Sequence, residues 1–317
     1  MCSWLHNDTS NALTLNEPNG VEASSSYFTT TAPTSTHFSV GTSGRVNGSS
    51  NPTRKYVAYL FAGGVTPTTS QVGLLCCNDA SSTTTSTVGG TLTSSGVTTD
   101  NVAPYSTSAR NVFSGTDNYI DVPASSNFAF GTGDFTIEMY INAHTKAADG
   151  SYKRIYMNDG PTGNNDDNIQ LAVDSATGKL NVWTNSGSGG LNLLSTTDIT
   201  SSDSTSGWFH IALVRISGTL ILYVNGDEEV RSYWPNNVNA NSGSPRPRIG
   251  AYDTSGSGDF DGEISNVRVI KGFANYTSNF TSPTSNFTTT TTPYDSAAFT
   301  FGENGNQEII KCGSFTG

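Results

Sequence analysis

Residues 208–226 read Trp-Phe-His-Ile-Ala-Leu-Val-Arg-Ile-Ser-Gly-Thr-Leu-Ile-Leu-Tyr-Val-Asn-Gly, and few folds accommodate such a run. Ser217-Gly218 separates two runs of β-branched, aromatic and aliphatic residues, and Asn225-Gly226 closes the second. A two-residue hairpin turn needs positive φ, which Asn and Gly tolerate best, so both dipeptides predict tight turns between antiparallel strands. A third strand is expected over residues 227–233. Phe209, Ile211 and Leu213 share one face, while Ile221 and Tyr223 alternate with Leu220, Leu222 and Val224. Apolar residues on both faces predict strands well inside a sheet, covered by a second sheet on one side and by loops or neighbours on the other.

This hairpin resembles the central hairpin of laminin-G-like, concanavalin-A-like jelly-roll domains, through Trp-Phe-His-Ile-Ala-Leu-Val-Arg at 208–215 and Tyr-Val-Asn-Gly at 223–226. Residues 114–122 and 134–141 resemble the family's opening strands, and 260–269 its closing strand, in the usual order. Residues 271–280 resemble the tail common in phage versions, so the resemblance spans 111–287. It implies an all-β fold, a two-sheet antiparallel jelly-roll sandwich of the concanavalin A-like type, with a smaller β-rich N-terminal segment. The first sixty residues and the stretch 301–317 resemble the closing and opening parts of a β-rich module of phage structural proteins.

The composition agrees with an all-β chain. Only 13% of residues are charged, 33 are Gly, and Ser, Thr and Asn abound, which suits short strands and turns rather than amphipathic helices. A length of 317 residues favours two domains over one. The expected order is a β-rich segment at 1–63, a Ser/Thr/Gly-rich linker at 64–110, the jelly roll at 111–287, and an extension with a terminal strand at 288–317. Residues 55–62 alternate with apolar side chains on both faces, and 308–314 form a β-like run, so both ends are expected to find strand partners, either in each other or in a neighbouring subunit.

A net charge of −11 with scattered Lys and Arg offers no source of phosphate neutralisation, so nucleic acid is not an expected partner. No apolar run is long enough to insert in a membrane, and residues 1–8 carry neither the basic nor the apolar segment of a signal peptide. Cys76 and Cys77 are adjacent while Cys2 and Cys312 lie near the ends, a spacing of neither a zinc site nor a disulfide framework. Reduced thiols suit folding in a cytosol.

No catalytic set emerges. Glu138 stands alone on its strand, Asp227-Glu228-Glu229 follow a turn and are expected to face water, and Glu263 has Asp259 and Asp261 nearby but not the paired acids of the family's hydrolases. The histidines, His6, His37, His144 and His210, are scattered, and His210 is expected to be hydrogen-bonded within the sheet. The resemblance implies calcium as the ion for two acidic loops, through Asp166 and Asp167 in one and Asp253, Asp259 and Asp261 in the other. It likewise implies glycan stacking on Tyr233, Trp234 or Tyr252. The resulting expectation is a non-enzymatic structural or adhesion protein of a phage virion (tail, fibre or capsid decoration), assembled in the host cytoplasm with other copies or other virion proteins, its jelly roll binding cell-surface glycans. The alternatives are an extracellular adhesin or filament subunit built by strand addition, and a carbohydrate-active enzyme.

Overall fold

The computed structural model describes residues 67–101, 104, 109–144, 151–158, 168–185, 190–200, 207–238, 246–252 and 258–289, with short strands at 11–12, 22–23, 55–60 and 311–316. The chain divides into two compact units, Met1–Gly63 with Glu308–Gly317, and Gly64–Gln307. In the first, β1 (Asn11–Ala12) pairs antiparallel with β2 (Glu22–Ala23), and β3 (Lys55–Leu60) with β19 (Lys311–Thr316) in the register Tyr56↔Phe315 and Ala58↔Gly313. Residues 311–314 of the one run thus pair with 57–60 of the other within one chain.

The second unit starts with β4 (Val72–Cys76), β5 (Thr93–Ser95), β6 (Thr98–Asp100), β7 (Arg110–Ser114) and β8 (Tyr119–Asp121). It continues through β9 (Phe135–Ala143), β10 (Tyr152–Met157), β11 (Asn168–Asp174), β12 (Lys179–Asn185) and β13 (Leu191–Asp198). The hairpin stretch supplies β14 (Phe209–Ile216), β15 (Thr219–Val224) and β16 (Asp227–Tyr233), followed by β17 (Arg248–Ile249) and β18 (Asp261–Lys271). One sheet has the order β13-β12-β11-β10-β17-β8-β5; the other runs β16-β15-β14-β9-β18-β7-β6, with β4 also paired to β18. The result is the expected two-sheet antiparallel sandwich.

Both turns of the central meander form as the dipeptides require. Ser217 and Gly218 have φ of 49° and 79°, Asn225 and Gly226 have 51° and 89°, and the ladder runs from Ile216↔Thr219 to Ile211↔Val224. Positive φ at both central residues gives the turn the twist of the flanking strands. Ile211, Leu213, Leu220 and Leu222 then enter the core between the sheets, against Leu171, Leu180 and Val182 from the opposite sheet. Ala212, Val214, Ile221 and Tyr223 face outward, and there Ala274, Tyr276 and Phe280 cover them. Loop segment 273–287 therefore does what a third layer would do, which explains a strand pair apolar on both faces.

Residues 64–110 are not a linker in their described part. Val72–Cys76 is buried throughout and pairs with the closing strand in the register Val269↔Leu74 and Val267↔Cys76, while β5 and β6 end the two sheets. A five-residue apolar run gains more by filling a sheet than by lying in solvent, and short Ser/Thr strands serve as edges that resist further pairing. Cys76 and Cys77 are free and buried, their sulfurs 3.7 Å apart.

The open ends of the sheets are tied by a residue expected to face water. Glu229 on β16 accepts hydrogen bonds from the backbone of Thr196 (2.7 Å) and Thr197 (3.0 Å) on β13 and from both their hydroxyls. Burial pushes the Glu229 carboxyl up, but these donors bring it below its ordinary value. A carboxyl lowered in the folded state stabilises above the ordinary carboxylate range, and that contribution disappears as pH falls through the lowered value. Glu229→Gln is therefore expected to cost about 1–2 kcal/mol at neutral pH and less in acid, read from urea melts at pH 7 and pH 3. Equal losses at both pH values would remove the carboxylate clamp.

Candidate functional site

On the seven-stranded sheet, residues alternate between the core and the outer surface. Leu171, Val173, Leu180 and Val182 point in; Gln170, Ala172, Asn181 and Trp183 occupy the intervening positions. Cross-strand register assembles the outer residues in two rows. Gln170 lies opposite Trp183 and Trp183 opposite Asn192, while Arg154 lies opposite Ala172 and Ala172 opposite Asn181. Tyr152, also on β10, and Tyr252, just after β17, close one side, and together these eight residues line an open groove of about 340 Å³.

The groove combines apolar rings with oriented polar groups. Tyr152 is 37% exposed. The Arg154 guanidinium carbon stands 5.0 Å from the Tyr252 ring centroid and 5.7 Å from that of Tyr152. Arg154 Nε donates to Gln170 Oε1 (3.3 Å) and Nη1 to the Tyr152 carbonyl (2.6 Å), and Asn181 Nδ2 donates to Asn192 Oδ1 (2.5 Å). These bonds fix the side chains before anything binds. The Gly258 carbonyl accepts from the Arg154 backbone N–H at 2.8 Å. Gly258 has φ +71°, and a Cβ there would stand 2.9 Å from the Tyr152 carbonyl, so only glycine permits this approach.

Of the three aromatics expected to stack on a sugar, Tyr252 lies in the groove. Tyr233 is 71% exposed but sits on β16 at the edge of the other sheet, and Trp234 is 4% exposed and belongs to the core, so neither reaches it. Trp183 and Arg154 went unread. The signal was present in Lys-Leu-Asn-Val-Trp-Thr-Asn at 179–185, where Trp183 is in phase with Asn181 rather than with Leu180 and Val182.

Asp166, Asp167 and Asp253 lie outside the described residues. Asp259 and Asp261 border a smaller cavity of about 180 Å³ with His144 and Lys153. Asp259 Oδ2 accepts from the Asp117 backbone N–H at 2.6 Å, and Asp261 Oδ1 lies 3.0 Å from His144 Nδ1, whose Nε2 is 3.0 Å from Glu263. Calcium takes six to eight oxygens, so these two carboxylates would need further ligands beside them. Among the described residues no three His, Cys, Asp or Glu side chains are grouped to hold a metal ion.

Glu138, alone on its strand in the sequence, is met in space by Arg268 at 2.6 Å and His210 at 3.3 Å, all three side chains fully buried. Tyr276 donates to the same carboxylate at 2.6 Å. His210 is thus hydrogen-bonded inside the sheet, and the cluster is closed to any substrate.

A two-sheet sandwich with a ring-and-amide groove on one sheet belongs with the lectin-like β-sandwiches. The family model of the concanavalin A-like lectin/glucanases superfamily, in its laminin G type, matches residues 114–275, and the chain belongs to this family. No curated protein matches the chain. Among solved structures it is similar to domain 4 of AbnA, a GH43 extracellular arabinanase from Geobacillus stearothermophilus in complex with arabinotriose, with 14% identity and a TM-score of 0.49 over 64% of this chain and 94% of that one. It is also similar to the binding domain of Paraclostridial Mosquitocidal Protein 1 (15% identity, TM-score 0.48, 65% of this chain and 50% of that one). The binding domain of botulinum neurotoxin serotype G gives 12% identity and a TM-score of 0.49, with 64% and 48% covered. The chain spans about half the length of these two toxin domains.

Proposed function

We propose that the chain is a non-enzymatic glycan-binding protein whose ligand lies in the groove of the seven-stranded sheet. The observation that carries this is the lining itself. Trp183, Tyr152 and Tyr252 offer ring faces to the C–H surface of a pyranose, while Asn181, Asn192, Gln170 and Arg154 offer fixed donors and acceptors to its hydroxyls. The described lining residues do not include the pair of carboxylates with which most glycosidases work. The superfamily holds both lectins and glucanases, and the lining favours binding without cleavage.

Titration calorimetry with a panel of neutral and acidic oligosaccharides tests this. Trp183→Ala is expected to weaken binding at least tenfold, about 1.4 kcal/mol, while Trp183→Phe keeps most of it and neither changes the melting temperature by more than a few degrees. Failure of every saccharide to bind, or binding that Trp183→Ala leaves intact, would reject the groove as the site, and release of a shorter product would make the chain an enzyme.

The setting we propose is the surface of a phage virion, as tail, fibre or capsid decoration, where the jelly roll meets host glycans and other virion proteins or copies hold it in place. The resemblance of residues 271–280 to the tail of phage versions of the domain supports this setting. Antibodies to the protein should label purified particles in electron micrographs. Label confined to cell-surface filaments would favour the adhesin reading instead.

A further inference from the structure

The arginines packed against the sheets differ in one respect. Arg110 pairs with Asp100 at 2.6 Å, Arg248 with Asp121 at 2.7 Å and Arg268 with Glu138 at 2.6 Å. Arg215 has no carboxylate but donates through Nε, Nη1 and Nη2 to the carbonyls of Gly131, Gly133 and Asn236. Arg154 has neither arrangement. Its Nε and Nη1 are held by Gln170 and Tyr152, no carboxylate pairs with it among the described residues, and Nη2 is left to the groove that the residue lines. Burial lowers its pKa from the ordinary arginine value, with only the two tyrosines opposing. In a chain of net charge −11, this cation stands between two aromatic rings with its outer nitrogen unmatched.

A partly buried cation with no carboxylate partner among the described residues is less well solvated than one in water, and an anion arriving there offsets that cost. We propose that the groove selects sugars bearing an anionic substituent, a ring carboxylate or a sulfate ester, with Arg154 as the residue that receives it. This rests on the groove being a glycan site and adds the chemical class of the glycan. Nη2 donates to one anionic oxygen, the rings of Tyr152 and Tyr252 flank the guanidinium and keep water from screening it, and Trp183 carries the adjoining ring of the saccharide. The bonds from Nε to Gln170 and from Nη1 to the Tyr152 carbonyl leave the guanidinium plane fixed, so little ordering remains to be lost on binding.

Matched ligands test it: tri-galacturonic acid against its methyl ester, sialyllactose against lactose, and a sulfated against an unsulfated galactan oligosaccharide, each titrated into the intact protein. At least one acidic member is expected to bind tenfold or more tightly than its neutral partner, with affinity falling as NaCl rises from 50 to 500 mM. Arg154→Gln should abolish that preference, weakening the acidic member far more than its neutral partner, and Arg154→Lys should restore part of it as a charge without a fork. The pair showing the largest preference distinguishes carboxylate from sulfate. Equal affinity for acidic and neutral partners, with binding still lost in Trp183→Ala, would overturn the anion selectivity and leave the glycan site standing. A preference surviving Arg154→Gln overturns the assignment to Arg154. No binding by any of the six ligands overturns both readings.

Discussion

Arg268→Met is expected to destabilise the sandwich by about 3–5 kcal/mol, a large share of the roughly 5–15 kcal/mol that holds a typical domain together. Arg268 sends Nε and Nη2 to Glu138 Oε1 at 2.8 and 2.6 Å and Nη1 to the Thr288 carbonyl at 2.8 Å, with Phe287 beneath its guanidinium. The methionine would fill much of the same space but leave a carboxylate fully buried with only Tyr276 and His210 beside it. Most of the loss comes from that orphaned charge rather than from the missing pair. The double variant Glu138→Gln/Arg268→Met should therefore recover more than half of the loss, since a neutral amide still accepts from Tyr276. Urea denaturation of the single and double variants decides it, and a double variant no more stable than Arg268→Met would rule out an orphaned charge as the cause. Burial pushes the Glu138 carboxyl up, yet Arg268, with His210 and Tyr276, holds it below its ordinary value. Its contribution is accordingly present above the ordinary carboxylate range and lost as pH falls through the lowered value. Glu263 runs the other way: burial raises its carboxyl against His144 and Arg110, so it costs stability as pH rises past the ordinary value.

Gly226→Ala is the second substitution with a large effect. Gly226 has φ +89°, and a Cβ there would lie 1.9 Å from the Phe280 carbonyl oxygen, which no rotation of a side chain can relieve. The Phe280 N–H donates to the Gly226 carbonyl at 2.9 Å, so the turn and the covering segment are bonded to each other. An alanine must either distort a turn that fixes the β15–β16 register or push Phe280 away and uncover Tyr223 and Tyr276, which pack with it. The expected loss is at least about 3 kcal/mol, combining left-handed strain with lost burial, together with new binding of a hydrophobic dye. Gly218→Ala is the control. It has φ +79°, and a Cβ there would meet Cε2 of the exposed Tyr233 at 3.1 Å and Cβ of Pro235 at 3.2 Å, contacts relieved by shifts of a few tenths of an ångström, so about 1 kcal/mol is expected. Similar melting temperatures for the two variants would show that strain, not the meeting with Phe280, sets the cost.

The sequence by itself determined the sandwich, because the devices that define it are local. Two positive-φ dipeptides, Ser217-Gly218 and Asn225-Gly226, fix the central meander, and period-two alternation assigns Leu213, Leu220 and Leu222 to one face whatever surrounds them. Three things were decided only in the tertiary structure, each because it depends on residues far apart in the chain. Val72–Cys76 looked like an interruption in a linker until Val267 and Val269, nearly two hundred residues on, gave it a ladder. Glu138 looked solitary because Arg268 and Tyr276 reach it from 130 and 138 residues away. The groove was legible only in part: the alternation in 179–185 places Trp183 with the polar positions, but its meaning depends on Arg154 and Tyr252 arriving from other strands and loops. Alternation tells which face a residue takes, and only cross-strand register and loop closure tell what it meets there.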